Sequence, residues 1–103
     1  MKRLFIAFAI IAAAATAQAD KTERTWGAKC SSCHGDAGKG DTAKGKELGV
    51  KDYTSADWQK SKTDAQIQAG IENGVKDKMD PYKDKLKPDE VAGLVKYIRG
   101  FQK

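Results

Sequence analysis

The chain has 103 residues, 40% hydrophobic and 32% charged, with a formal net charge of +5. That length bounds it to one small domain whose apolar residues alone build only a marginal core. Basic and acidic residues interleave through most of the sequence, without a long basic run or basic-aromatic alternation, so the pattern excludes a surface built to track a nucleic-acid backbone.

The first element has the form of an export signal. Lys2 and Arg3 form a basic start, residues 4–15 are apolar, and Ala17-Gln18-Ala19 has the small-x-small form of a signal peptidase site. Twelve apolar residues fall short of the roughly 20 needed for a membrane-spanning helix. Cleavage before Asp20 is therefore expected, removing 1–19 as a signal peptide and leaving 20–103 as one periplasmic domain with no stable membrane insertion. No cysteine lies between the apolar stretch and Cys30, so lipid attachment next to the leader is not indicated. Loss of Lys2 and Arg3 leaves 17 basic residues against 14 acidic ones.

Residues 21–29 are predicted to form a short helix carrying Trp26 one turn ahead of Cys30. The pentad Cys30-Ser31-Ser32-Cys33-His34 follows, and its Cys-x-x-Cys-His spacing is that of a haem attachment site. Each sulfur can add to one vinyl group of a haem while the adjacent imidazole reaches the iron. Two other readings of a Cys-x-x-Cys pair are weaker here. A zinc site would need two more Cys or His ligands, and His34 is the only histidine. A thioredoxin-like pair would need a βαβ pattern, and no strand-like alternation follows the leader. One covalent haem c also supplies the staple that so short a chain lacks, so the haem-free chain is expected to fold poorly.

After the pentad, Gly35, Gly38 and Gly40 mark a loop, 42–48 can hold a helical turn, and Gly49 stops it. Thr63-x-x-Gln66 reads as a capping box opening a helix with Ile67, Ile71 and Val75 at four-residue spacing and Gly74 as its terminator. The densest basic stretch comes next: Lys76, Lys78, Lys83, Lys85 and Lys87, interrupted by Asp77, Asp80 and Asp84. It reads equally as solvated surface or as a docking patch.

Met79 sits inside that polar stretch, where no apolar stripe requires it, and it is the only methionine once Met1 has left. With a single histidine, bis-histidine ligation within the chain is impossible, and a thioether is the natural second axial ligand. It is neutral and soft, and stabilises reduced iron relative to a second imidazole.

The last helix is the clearest. Pro88 suits its first turn, Asp89 and Glu90 suit its positive end, and Val91, Leu94, Val95, Ile98 and Phe101 form one apolar stripe. Trp26 and its helix are the expected partner, with Tyr97 near the seam and Gly27 allowing close approach.

Together these features resemble the small class I bacterial cytochromes c: an aromatic four residues before the attachment motif, Cys30-x-x-Cys33-His34-Gly35, a late Met79 on a loop, and a closing helix with Leu94-x-x-Tyr97. The resemblance spans nearly all of 20–103. It implies an all-α cytochrome c fold, three to five short helices around one covalent haem with the terminal helices packed together. It also implies His34 as proximal and Met79 as distal ligand. One departure is that Asp80 separates Met79 from Pro81, where the family often places proline directly after the methionine. The resemblance further implies that Trp58 donates to a haem propionate, with Tyr53 and Lys51 close enough to help; packing of Trp58 beneath the loop is the alternative.

The function expected is one-electron transfer by a soluble exported monomer, not an enzyme, working between redox protein partners, a reductase and an oxidase. Surrounding lysines would favour an acidic partner. Two rivals stand beside it. An open iron face would make a small-ligand sensor or a peroxidase, although no second histidine is present for acid-base work. A haem subunit of a larger respiratory complex is the other.

Overall fold

The computed structural model describes residues 17–102. The expected signal peptide lies outside the described residues except for 17–19, which are helical. Among the described residues there are six helices in chain order: α1 (17–29), α2 (Ser31–His34), α3 (Ala43–Leu48), α4 (Ala56–Ser61), α5 (Asp64–Asn73) and α6 (Pro88–Arg99). Among the described residues the only β pairing is an isolated bridge between Val75 and Met79. The all-α class is as expected. The helices that composition did not announce are α2, a single turn formed by the pentad, and α4, whose N-cap Ser55 accepts from the Trp58 amide at 3.3 Å.

Local chemistry sets the helix ends. Thr63 opens α5 with a complete capping box: its hydroxyl accepts from Gln66 N at 3.1 Å, and Gln66 Oε1 accepts from Thr63 N at 2.8 Å. At α6, Pro88 takes the first helical position and Glu90 Oε1 accepts from Lys87 N at 2.9 Å, satisfying a donor the helix leaves unpaired. Thr42 caps α3 through Gly45 N and donates to the Cys33 carbonyl at 3.0 Å, which holds α3 against α2. A side chain at Gly45 would strike that same carbonyl.

Burial of the α6 stripe organises the rest. Val91 and Leu94 are almost fully enclosed, and Val95 and Ile98 are buried with Trp26 from α1, Ile67 and Ile71 from α5, and Leu86. The N- and C-terminal helices pack together as expected. The Trp26 ring lies 5.5 Å from Tyr97 and 5.0 Å from Phe101 between centroids, and Lys21 reaches Glu90 at 3.6 Å.

Two expectations are corrected. Gly27 is not the point of close approach, because a Cβ there would have no neighbour within 4 Å. The close approach belongs to Gly93 on α6, where a Cβ would come within 2.8 Å of Thr22 Oγ1. Val75 does not extend the α5 stripe: the helix ends at Asn73, Gly74 turns the chain, and Val75 is 50% exposed.

Candidate functional site

The pentad is built as a continuation of α1. Cys30 N donates to Trp26 O at 2.9 Å and His34 N to Cys30 O at 3.0 Å, so Cys30 and His34 lie one helical turn apart. Gly35 N then donates to Ser31 O, and Gly40 N to His34 O, each at 2.8 Å. Trp26 Nε1 donates to the Gly35 carbonyl at 3.0 Å and anchors the end of the turn to α1. Both cysteines are half-buried and not joined in a disulfide. Burial, the largest cause, pushes the Cys30 thiol up to about 11, with Lys29 opposing and Cys33 adding to the shift.

His34 lies between two aromatic rings, Trp26 at 5.6 Å and Tyr53 at 5.1 Å, the latter nearly parallel at 23°. Burial lowers the imidazole's affinity for a proton and favours the neutral ring that a metal requires. One ring nitrogen, assigned as Nδ1, is buried without a hydrogen-bond partner. Buried polar atoms are otherwise almost always paired, and metal coordination is one way to satisfy an imidazole.

Tyr53 is fixed from three directions. Its amide donates to Gly38 O at 2.8 Å, its carbonyl accepts from Gln59 Nε2 at 2.7 Å, and its ring packs 4.2 Å from Trp58. Burial pushes its phenol up to about 12. Gln59 was not singled out by sequence reasoning, yet it is buried and its amide also donates to Ile98 O at 2.9 Å. Arg99 completes the link: Nη1 donates to Gln59 O at 2.7 Å and to Gln59 Oε1 at 3.1 Å, Nη2 donates to Lys62 O at 2.6 Å, and Nε meets Asp64 at 2.8 Å. A lone glutamine in a polar helix carries no pattern that marks this role.

Met79 is presented by a tight reversal after α5. Val75 N donates to Met79 O and Met79 N to Val75 O, both at 2.8 Å, with Asp77 in the left-handed region at φ +65°. Tyr82 and Lys83 return to the end of α5 by donating to Ile71 O and Glu72 O.

These parts enclose two cavities. One of about 230 Å³ lies against the core, with Ile67, Ile71, Leu94 and Ile98 in its wall; the other, about 490 Å³, is lined toward the surface by Ser32, Cys33, Leu48 and Lys78. Cys30, His34, Tyr53 and Met79 line both, Trp58 lines the first and Cys33 the second. The six residues singled out from the sequence thus line two cavities that share four of them. Among the described residues, no group of three or more His, Cys, Asp or Glu side chains is gathered as a metal site.

Two thiols and an imidazole on one turn, an unpartnered buried ring nitrogen, and a largely apolar cavity that a methionine also lines are the donor set and shape of a c-type haem site. The structure is thus that of a c-type cytochrome. The sequence matches the family described as "Cytochrome C oxidase, cbb3-type, subunit III" over residues 17–98, and the chain belongs to this cytochrome c family. Among solved structures it is similar to "KustC0563 c-type cytochrome", 37% identical with a TM-score of 0.75, covering 79% of this chain and 96% of that one. It is likewise similar to a mutant form of Kustc0563, 36% identical with a TM-score of 0.73, covering 79% and 98%. A search of curated proteins returned no significant match. As a c-type cytochrome the protein is a haem c electron carrier, in agreement with the class I resemblance.

Proposed function

We propose that the chain is an exported, soluble, monomeric carrier in which Cys30 and Cys33 hold one haem c through thioether bonds and the iron is ligated by His34 and Met79. The observation that carries this is that His34 and Met79, the only histidine and the only methionine beyond Met1, line the same two cavities. Bound haem c supplies the one-electron Fe(III)/Fe(II) couple.

The chain's own residues do the rest. Trp26 and Tyr53 flank the His34 ring, so reorienting it requires moving both neighbours. Ile67, Ile71, Leu94 and Ile98 keep water from the inner cavity, and with the neutral Met79 thioether they favour the less charged, reduced state. Holding both ligands through the cycle keeps the nuclear rearrangement small. Trp58, Tyr53 and Lys51, which share the inner cavity, are assigned to a haem propionate.

Lys29, Lys51 and Lys78 line the outer cavity and are exposed, which favours encounter with acidic redox partners, a reductase and an oxidase. Partner reduction rates should therefore fall as salt is added, and rates indifferent to ionic strength would remove this electrostatic part. Export is supported by the leader 1–19. Among the described residues no helix is long and apolar enough to cross a membrane.

Optical spectra of the holoprotein test the ligation. Wild type should show low-spin haem with a far-red sulfur-to-iron band that Met79→Ala abolishes. A high-spin spectrum that shifts with added small ligands would move the reading to a sensor or peroxidase. The matched family's description favours one second reading, a haem subunit of an oxidase complex. Co-purification with a membrane oxidase under mild extraction would select it over a free shuttle.

A further inference from the structure

We infer that Gly74 is a positioning residue for Met79: the backbone that carries the methionine is seated directly on this glycine, and a side chain there would shift the sulfur. The inference rests on Met79 being the distal ligand.

Gly74 ends α5 at φ +68°, ψ −171°, a region essentially reserved to glycine, with its amide donating to Gly70 O at 2.9 Å. A Cβ at this position would overlap the Met79 carbonyl oxygen and come within 2.7 Å of Pro81 N and 2.8 Å of Asp80 C. All three are backbone atoms, so no rotamer change can relieve the overlap. The carbonyl that would be struck is the one that accepts from Val75 N, and moving it opens the Val75–Met79 bridge. Beyond the bridge, Tyr82 N and Lys83 N donate to Ile71 O and Glu72 O at 3.0 and 3.1 Å. Met79 is thus fixed to the end of α5 on both sides, and α5 is fixed to α6 through Ile67 and Ile71 in the common core. The ligand is held by a seated turn, which replaces the missing Met-Pro step with a contact between Gly74 and Pro81.

A pair of holoprotein variants tests the seating of this turn. Gly49 also has a left-handed φ, +70°, but a Cβ there meets nothing within 4 Å. Gly49→Ala therefore tests a positive φ without a collision, at ψ 34° in the left-handed region, whereas Gly74→Ala adds the collision and a ψ of −171° that glycine alone adopts readily. Gly74→Ala is expected to weaken the sulfur-to-iron band and to raise imidazole affinity by about tenfold, equivalent to roughly 1.4 kcal/mol lost from the contact at iron. Gly49→Ala should leave both at wild-type values. An unchanged band and affinity in Gly74→Ala, or equal losses in both variants, would overturn the assignment. Amide exchange in unmutated holoprotein tests it without a variant: Val75 and Met79 should exchange as slowly as α5 amides, and exchange as fast as at Lys76 would show that the turn is not seated. A wild type lacking the sulfur band would instead overturn Met79 ligation itself, and the inference with it.

Discussion

The indole of Trp26 donates to the carbonyl oxygen of Gly35 across 3.0 Å, joining α1 to the first residue beyond the cysteine-histidine turn. The bond is buried, and the same ring packs against His34, Tyr97 and Phe101. Trp26 therefore links the haem attachment turn to the C-terminal helix. Trp26→Phe keeps an aromatic ring but removes one of the two donors to the Gly35 carbonyl, which retains Gly38 N at 3.1 Å, a loss of about 0.5–1.5 kcal/mol. Thermal unfolding of the holoprotein should show a lower midpoint with the haem still attached; an unchanged midpoint would mean that water replaces the indole without cost.

Gln59 should matter more than its exposed neighbours in α4. Its amide serves the carbonyls of Tyr53 and Ile98 together, and its own carbonyl groups receive Arg99. Gln59→Leu leaves the Tyr53 carbonyl without its donor, at about 1–3 kcal/mol, while the Ile98 carbonyl keeps Phe101 N at 3.2 Å. It also releases Tyr53, so the environment of His34 changes with the stability. Denaturant titration should record the first effect, and a shifted midpoint potential the second. Lys60→Ala, on the exposed side of α4, is the control and should move neither.

The difference between what the sequence made legible and what it hid follows the range of each interaction. The pentad, the Thr63 capping box and the α6 stripe are local patterns, and each lies where its spacing placed it. The partner of α6 was also legible, since an apolar stripe on so short a chain has few places to bury. Gly27 reads as the helix contact because its position beside Trp26 is visible in sequence and the facing of α1 is not. The contact at Gly93 depends on which side of Thr22 meets α6, a long-range fact without a sequence period. Val75 continues the four-residue spacing of Ile67 and Ile71, but Gly74 ends the helix first and turns Val75 into the partner of Met79. Gln59 and Arg99 act across about 40 positions of sequence, through hydrogen bonds that no local pattern announces.

The start of α6 carries an acid-sensitive interaction. The Lys87 backbone amide, the largest cause, holds the Glu90 carboxyl below its usual value of 4.5 with help from Lys21, against the opposing effects of desolvation and of Asp89. A carboxylate with a depressed folded-state pKa contributes stability that is present above its unfolded value and lost as pH falls through the folded one. Glu90→Gln keeps an acceptor for Lys87 N but removes the charge. Wild type should be the more stable at pH 7, and the gap should close as pH drops below about 4.5. A gap of constant size across that range would assign the effect to packing rather than to ionisation.

The packing of α1 on α6 can be tested at its narrowest point. In an ordinary exposed helix position, Gly→Ala is stabilising by roughly 1 kcal/mol, because glycine loses more backbone freedom on folding. Gly93 should reverse that sign. A Cβ there comes within 2.8 Å of Thr22 Oγ1, which sits on a buried, β-branched side chain. The helices must therefore part or Thr22 must leave its rotamer, and overpacking of this kind costs about 1–3 kcal/mol. Gly93→Ala alone is expected to lower the thermal midpoint. Adding Thr22→Ala removes the obstructing hydroxyl, so the double variant should recover most of the loss, giving a coupling energy between the two sites on the order of 1 kcal/mol. Additive effects would show that α1 and α6 do not meet at Thr22 and Gly93. Because Trp26 lies one turn further along the same face of α1, a real separation should also be visible as greater exposure of its indole in fluorescence.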